Sequence, residues 1–137
     1  MDRIIDLLRS KNKYFICIDF DQTIVDIHTG GRWQKSADEL ESHIRPFFKG
    51  FIPLLISSGL HVAVVTFSSQ VPIISQLLKR AFPAFADEII IRGTDNSWEY
   101  VGNGQKEGHF SLFCFIRISK CLFLQASRNI ARPLLLS

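Results

Sequence analysis

Acidic residues are missing from the end of this chain. All 13 Asp and Glu of the 137 residues lie at or before Glu107, and Arg117, Lys120, Arg128 and Arg132 follow it. Residues 1–107 carry 12 basic against 13 acidic side chains, whereas residues 108–137 carry 4 basic and none acidic. The net charge of +3 therefore belongs to a short tail. That distribution argues against a nucleic-acid-binding face. Cysteine is sparse: Cys17, Cys114 and Cys121 form no CxxC pair or Cys/His cluster at zinc-ligand spacing. Cys17 lies inside an apolar run and reads as a small core residue. Long apolar runs are missing too. The stretch from Phe110 to Leu124 is interrupted by Arg117 and Lys120 and is too short to span a bilayer comfortably. The start, Met1–Asp2–Arg3–Ile4, carries an early acid and lacks the apolar core of a signal peptide. A cytoplasmic protein with no stable membrane span is expected.

What is present fits one globular domain. A chain of 137 residues leaves no room for two of ordinary size, and 47% hydrophobic content excludes wholesale disorder. Ile4, Ile5, Leu7 and Leu8 recur at helical spacing, which predicts a helix over 2–10. The unbroken run Tyr14–Ile18 predicts a strand buried on both faces of a parallel sheet, ending at Asp19. Residues 26–44 read as a loop and a short helix, capped by Ser36 with Glu39 as its capping-box partner. A further helix starts near Pro46 and closes at Gly59, with Pro53 expected to kink or shorten it. His61–Val65 and Glu88–Arg92 read as two more strands around a helix over 70–80, and residues 93–109 read as loop. Alternating helices and strands predict an α/β, Rossmann-like parallel sheet flanked by helices.

Ligands of such sheets bind outside the carboxyl ends of the strands. Two of the expected strands end in polar residues: the first in Asp19–Phe20–Asp21–Gln22–Thr23, the second in Thr66. Two carboxylates two residues apart at a strand end are able to converge on one hard cation such as Mg²⁺. An aspartate of ordinary pKa, about 3.9, is ionised at neutral pH and needs no activating base. The competing reading of a lone DxD is a polar turn.

The longer pattern resembles a known family. Tyr14–Ile18 followed by Asp19-Phe-Asp21-Gln-Thr23 resembles the first motif of the haloacid dehalogenase-like (HAD) phosphatase superfamily. His61-Val-Ala-Val-Val-Thr66 resembles its second motif, and Lys106 falls where the third places a lysine. The resemblance spans roughly residues 13–109 and implies a HAD-type fold with minimal or no cap. It implies Asp19 as a nucleophile forming an aspartyl-phosphate, and Asp21 as general acid and then base. It further implies that Thr23 braces the loop, Thr66 binds a phosphate oxygen and Lys106 neutralises charge. Mg²⁺ would be held by the Asp19 carboxylate and the Asp21 carbonyl. The implied substrate is a phosphorylated small molecule or phosphoprotein.

The chain departs from the family at the fourth motif, where one or two aspartates end a later strand. Leu112–Ile118 is the expected counterpart, running into Ser119 and Lys120 where carboxylates belong. The residues thus divide into a core, 1–109, and an apolar, basic tail, 110–137, that completes or replaces the end of the same domain. Such a change suggests a truncated or misjoined reading frame, and with it a second reading: a non-catalytic phosphate-binding or interaction remnant. His28 reads as a solvated loop histidine, or alternatively as a flap residue over the site mouth. Ser68 and Ser69 lack a GxSxG context and read as loop and helix-cap residues. Trp33 reads as packed against its own domain.

Overall fold

The computed structural model describes residues 1–94 in full and the backbone of 121–124. Helix α1 (Asp2–Ser10) leads into strand β1 (Phe15–Asp19). After β1 come α2 (Ala37–Glu41), α3 (Pro46–Ser57), β2 (His61–Val65), α4 (Val71–Ala81) and β3 (Ile89–Arg92). A fourth strand, β4, spans Cys121–Leu124. All neighbouring pairs are parallel, in the order β3-β2-β1-β4. The class is α/β, compatible with a Rossmann-like fold.

Alternation along β1 divides the core. Ile16 and Ile18 face one side, where they join Val62 and Val64 with Ile5 and Leu8 of α1, Ile52 and Leu55 of α3, and Ile74, Leu77 and Leu78 of α4. Phe15 and Cys17 face the other side and meet Ala63, with Val65 and Ile90 packed beside them. All of β1 is buried, as an unalternating apolar run requires.

Local signals act as the sequence suggests, with two corrections. Ser36 caps α2 by accepting the Glu39 N–H, but the Glu39 carboxylate pairs with Lys35 rather than closing a capping box. Pro46 opens α3, and Gly59 follows it with φ +77°. Pro53 does not shorten α3, which runs through it to Ser57. An internal proline costs about 3 kcal/mol. Phe48, Phe51, Ile52, Leu55 and Ile56 are all buried on the same helix, each contributing about 1.5–3 kcal/mol, and so outweigh it.

The expected strand over Leu112–Ile118 is one part of the reading the structure leaves aside. Residues 112–118 lie outside the described residues, and the strand beside β1 is Cys121–Leu124, with Ile18 opposite Leu124. Lys120 therefore precedes the strand instead of ending it, and Gln125, Ala126 and Ser127 follow. The residue that follows β4 in the sequence is an amide, not a carboxylate.

Candidate active site

The strand order reverses at β1. The chain moves from β1 to β2 and β3 on one side, then returns with β4 on the other. Loops leaving a strand at such a switch point diverge and open a crevice at its carboxyl end. Asp19 is the last residue of β1, and a cleft of about 330 Å³ lies there. Asp19, Asp21 and Gln22 line one side of it, His28, Gly30 and Gly31 another, and Thr66, Phe67 and Ser68 a third.

The turn after β1 shapes this side of the cleft. Phe20–Ile24 is a helical turn broken at Asp21, which is extended, and at Gln22, whose φ is +58°. Phe20 and Ile24 are fully buried and anchor the turn in the core. Thr23 donates to the Asp19 Oδ2 at 3.1 Å, fixing that carboxylate from beneath. Arg45 donates to the Gln22 carbonyl at 3.2 Å.

Asp19 is only 9% exposed. Burial pushes its carboxyl above the ordinary aspartate value, while bonds from the Thr23 hydroxyl and the Phe20 N–H pull it back. The Asp21 charge raises it further, and His28 lowers it. The carboxyl of Asp19 is thus shifted upward from the ordinary aspartate value on which the sequence expectation rests. Desolvation at the end of a buried strand makes the charged form more costly than in water.

Asp21 is held differently. Thr29 donates to its Oδ1 twice, from the main-chain N–H at 2.8 Å and from the hydroxyl at 2.6 Å. Thr29 is itself buried, as is Gln70, whose Nε2 donates to the Thr29 Oγ1 at 2.5 Å. On the second strand end, Thr66 Oγ1 lies 3.0 Å from Ser68 Oγ, and the Ser68 N–H points at Thr66 Oγ1.

Of the residues singled out from the sequence, Asp19, Asp21 and Thr66 line one cleft, and Thr23 braces Asp19 from below. Lys106 lies outside the described residues. His28 is exposed, as an ordinary loop histidine is, yet it lines the cleft, with its Nδ1 accepting the Gly30 N–H at 2.9 Å. Ser68 also lines the cleft, where a loop or cap role was expected. Its place two residues beyond Thr66, in the turn after β2, was the available signal. Phe67, 83% exposed on the rim, and the buried pair Thr29 and Gln70 escaped sequence reading because only the folded loop brings them to Asp21. Trp33 packs against the core and donates from Nε1 to the Ser36 carbonyl, as expected of a tryptophan held by its own domain.

Among the described residues no group of three or more His, Cys, Asp or Glu gathers as a metal site. None of their helices is long and apolar enough to cross a membrane. No known protein family, curated protein or solved structure matches the chain.

Proposed function

We propose that this chain is a Mg²⁺-dependent phosphohydrolase of the HAD type, acting on a phosphate monoester through an aspartyl-phosphate. The observation that carries the reading is the cleft at the switch point, where two carboxylates and a strand-end threonine converge. In the first step an Asp19 carboxylate oxygen attacks phosphorus, and the bond from phosphorus to the leaving oxygen breaks. Asp21 gives that oxygen a proton. In the second step Asp21 takes a proton from water as the water oxygen attacks phosphorus. The bond to Asp19 then breaks, releasing phosphate and restoring both carboxyl groups. Thr66 orients a phosphate oxygen, with the Ser68 N–H beside it. Catalysis of this kind rests on positioning and electrostatic stabilisation, the work a rigid strand end does well.

The residues fit Mg²⁺ in kind. The donors are hard oxygens, the Asp19 carboxylate and the Asp21 carbonyl, and Mg²⁺ is commonly held by one or two carboxylates with waters and substrate phosphate completing the shell. Asp19 is a buried carboxylate that, among the described residues, has only His28 as a charge lowering its pKa, which suits a cation site. The ion would screen the repulsion between Asp19 and the phosphate.

A second reading has its own observation. With no acid after Glu107 and Gln125 following β4, a fourth-motif carboxylate is missing from the sequence. A cleft that binds phosphate without turnover fits that loss. Two measurements separate the readings. Thermal unfolding with Mg²⁺ and beryllofluoride, a mimic of the aspartyl-phosphate, is expected to shift upward under either one, since ligands of the native state raise its stability. Release of phosphate from a monoester, abolished by Asp19→Asn, is expected only of the enzyme. Turnover that survives in Asp19→Asn would sink the mechanism.

A further inference from the structure

The geometry points to Thr29 and Gln70 as positioning residues that hold Asp21 with its exchangeable proton on one oxygen only, an inference that rests on Asp21 being the acid of the reaction proposed above. The argument follows from which atoms are able to donate. The Trp33 main-chain N–H has only a proton to offer, and it meets the Gln70 Oε1 at 3.0 Å. That contact fixes the amide of Gln70, so its Nε2 is the atom facing Thr29 Oγ1. An amide nitrogen also only donates. The Thr29 oxygen is thus an acceptor towards Gln70, and its own proton is free to point only elsewhere. The neighbour in reach is Asp21 Oδ1.

Asp21 Oδ1 therefore receives two protons from one residue, the hydroxyl and the N–H of Thr29. An oxygen so engaged is a poor place for a proton of its own, because a carboxylic O–H there would confront two donors. The proton that Asp21 delivers and retrieves then belongs on Oδ2, which neither bond touches. Two further features suit a fixed positioning unit. Thr29 and Gln70 are both buried, shielding the bonds from competing water. Gln70 stands immediately before α4, so the loop carrying Thr29 and Trp33 is tied to the scaffold on the β2 side. Thr29 thereby links the turn after β1 to the turn after β2 across the back of the cleft.

The experiment compares two substrates of different leaving group in the full chain with Mg²⁺. 4-Nitrophenolate departs without help from a proton, whereas an alkoxide does not. Thr29→Val removes the hydroxyl at equal size, Thr29→Ser retains it, and Gln70→Glu replaces the donor by an acceptor that competes for the Thr29 proton. The expected result is that Thr29→Val and Gln70→Glu slow alcohol release from an alkyl phosphate in a single turnover about a hundredfold, the lower end of the range ascribed to general acids. Single-turnover release of 4-nitrophenolate, which precedes the step where Asp21 acts as base, should change far less, and Thr29→Ser should keep the alkyl reaction. Equal losses on both substrates, or no loss, would overturn the positioning role while leaving the phosphohydrolase reading intact. A wild-type chain that turns over neither substrate, or Asp19→Asn retaining activity, would overturn both together. Should Thr29→Val not fold, Gln70→Glu carries the same comparison.

Discussion

Asp19 stands where a carboxylate is costly to ionise, at the buried end of a central strand with a second aspartate two residues on. Its folded-state pKa lies above the unfolded value. Over the interval between the two, the native state holds the proton more tightly, so stability falls as pH rises through that interval and stays lower above it. Asp19→Asn removes the penalty. In cation-free buffer at pH 7 the variant should be more stable than wild type, because the neutral amide escapes the cost of a buried charge. The gain should shrink as pH falls below the ordinary aspartate range, and thermal unfolding at two pH values checks it. Gly93 makes a second prediction at this scale. A Cβ there would sit 2.5 Å from the Ser68 carbonyl and 2.7 Å from Val71 Cγ2. Thr94 donates to the same carbonyl at 2.9 Å, so the loop has little freedom to retreat. Gly93→Ala should cost about 1–3 kcal/mol, as overpacking does, read as a lower urea midpoint at unchanged slope.

At the scale of elements, short helix α2 depends on its ends and its neighbour. Its cap is the Ser36 hydroxyl, and Arg80 of α4 pairs with Asp38 and Glu41 across the gap. The ion pairs are largely exposed and contribute little. The cap matters more: Ser36→Ala should destabilise the chain by about 1 kcal/mol in denaturant unfolding, whereas Arg80→Ala should stay within about 0.5 kcal/mol of wild type. The elements were the most legible part of the sequence. Unbroken apolar runs at Tyr14–Ile18 and His61–Val65, and the Pro46 and Gly59 signals, mark elements by short-range chemistry that a folded core then reinforces. Strand β4 was not legible, because Phe110–Leu124 is apolar almost throughout and its pattern does not specify that Cys121–Leu124 pairs with Phe15–Ile18. The cleft was legible for the same reason as the strands, since Asp19 and Thr66 end apolar runs. The tie of Asp21 to Thr29 and Gln70 was not, because those residues carry no motif and meet only through a loop of undistinguished composition.

The described fold is organised around β1, where the strand order reverses between β2 on one edge and β4 on the other. One partner, β2, comes from the middle of the chain, and the other, β4, from roughly a hundred residues beyond β1. Removing residues 121–137 should therefore cost more than its length suggests, because it unpairs one full edge of Phe15–Ile18. Cooperative thermal unfolding is expected to be lost in such a chain, and aggregation to rise, since an open apolar edge is a template for other strands. Synthesis imposes the same condition temporarily. At about 5–20 residues per second, the edge of β1 that β4 will occupy waits on the order of 5–20 s for its partner to be made. During that interval the nascent chain displays Phe15, Ile16, Cys17 and Ile18 beside whatever else can form a strand. The ribosome, more than the finished protein, is where this topology is most exposed to error, and a chaperone that shields extended apolar segments would act there first.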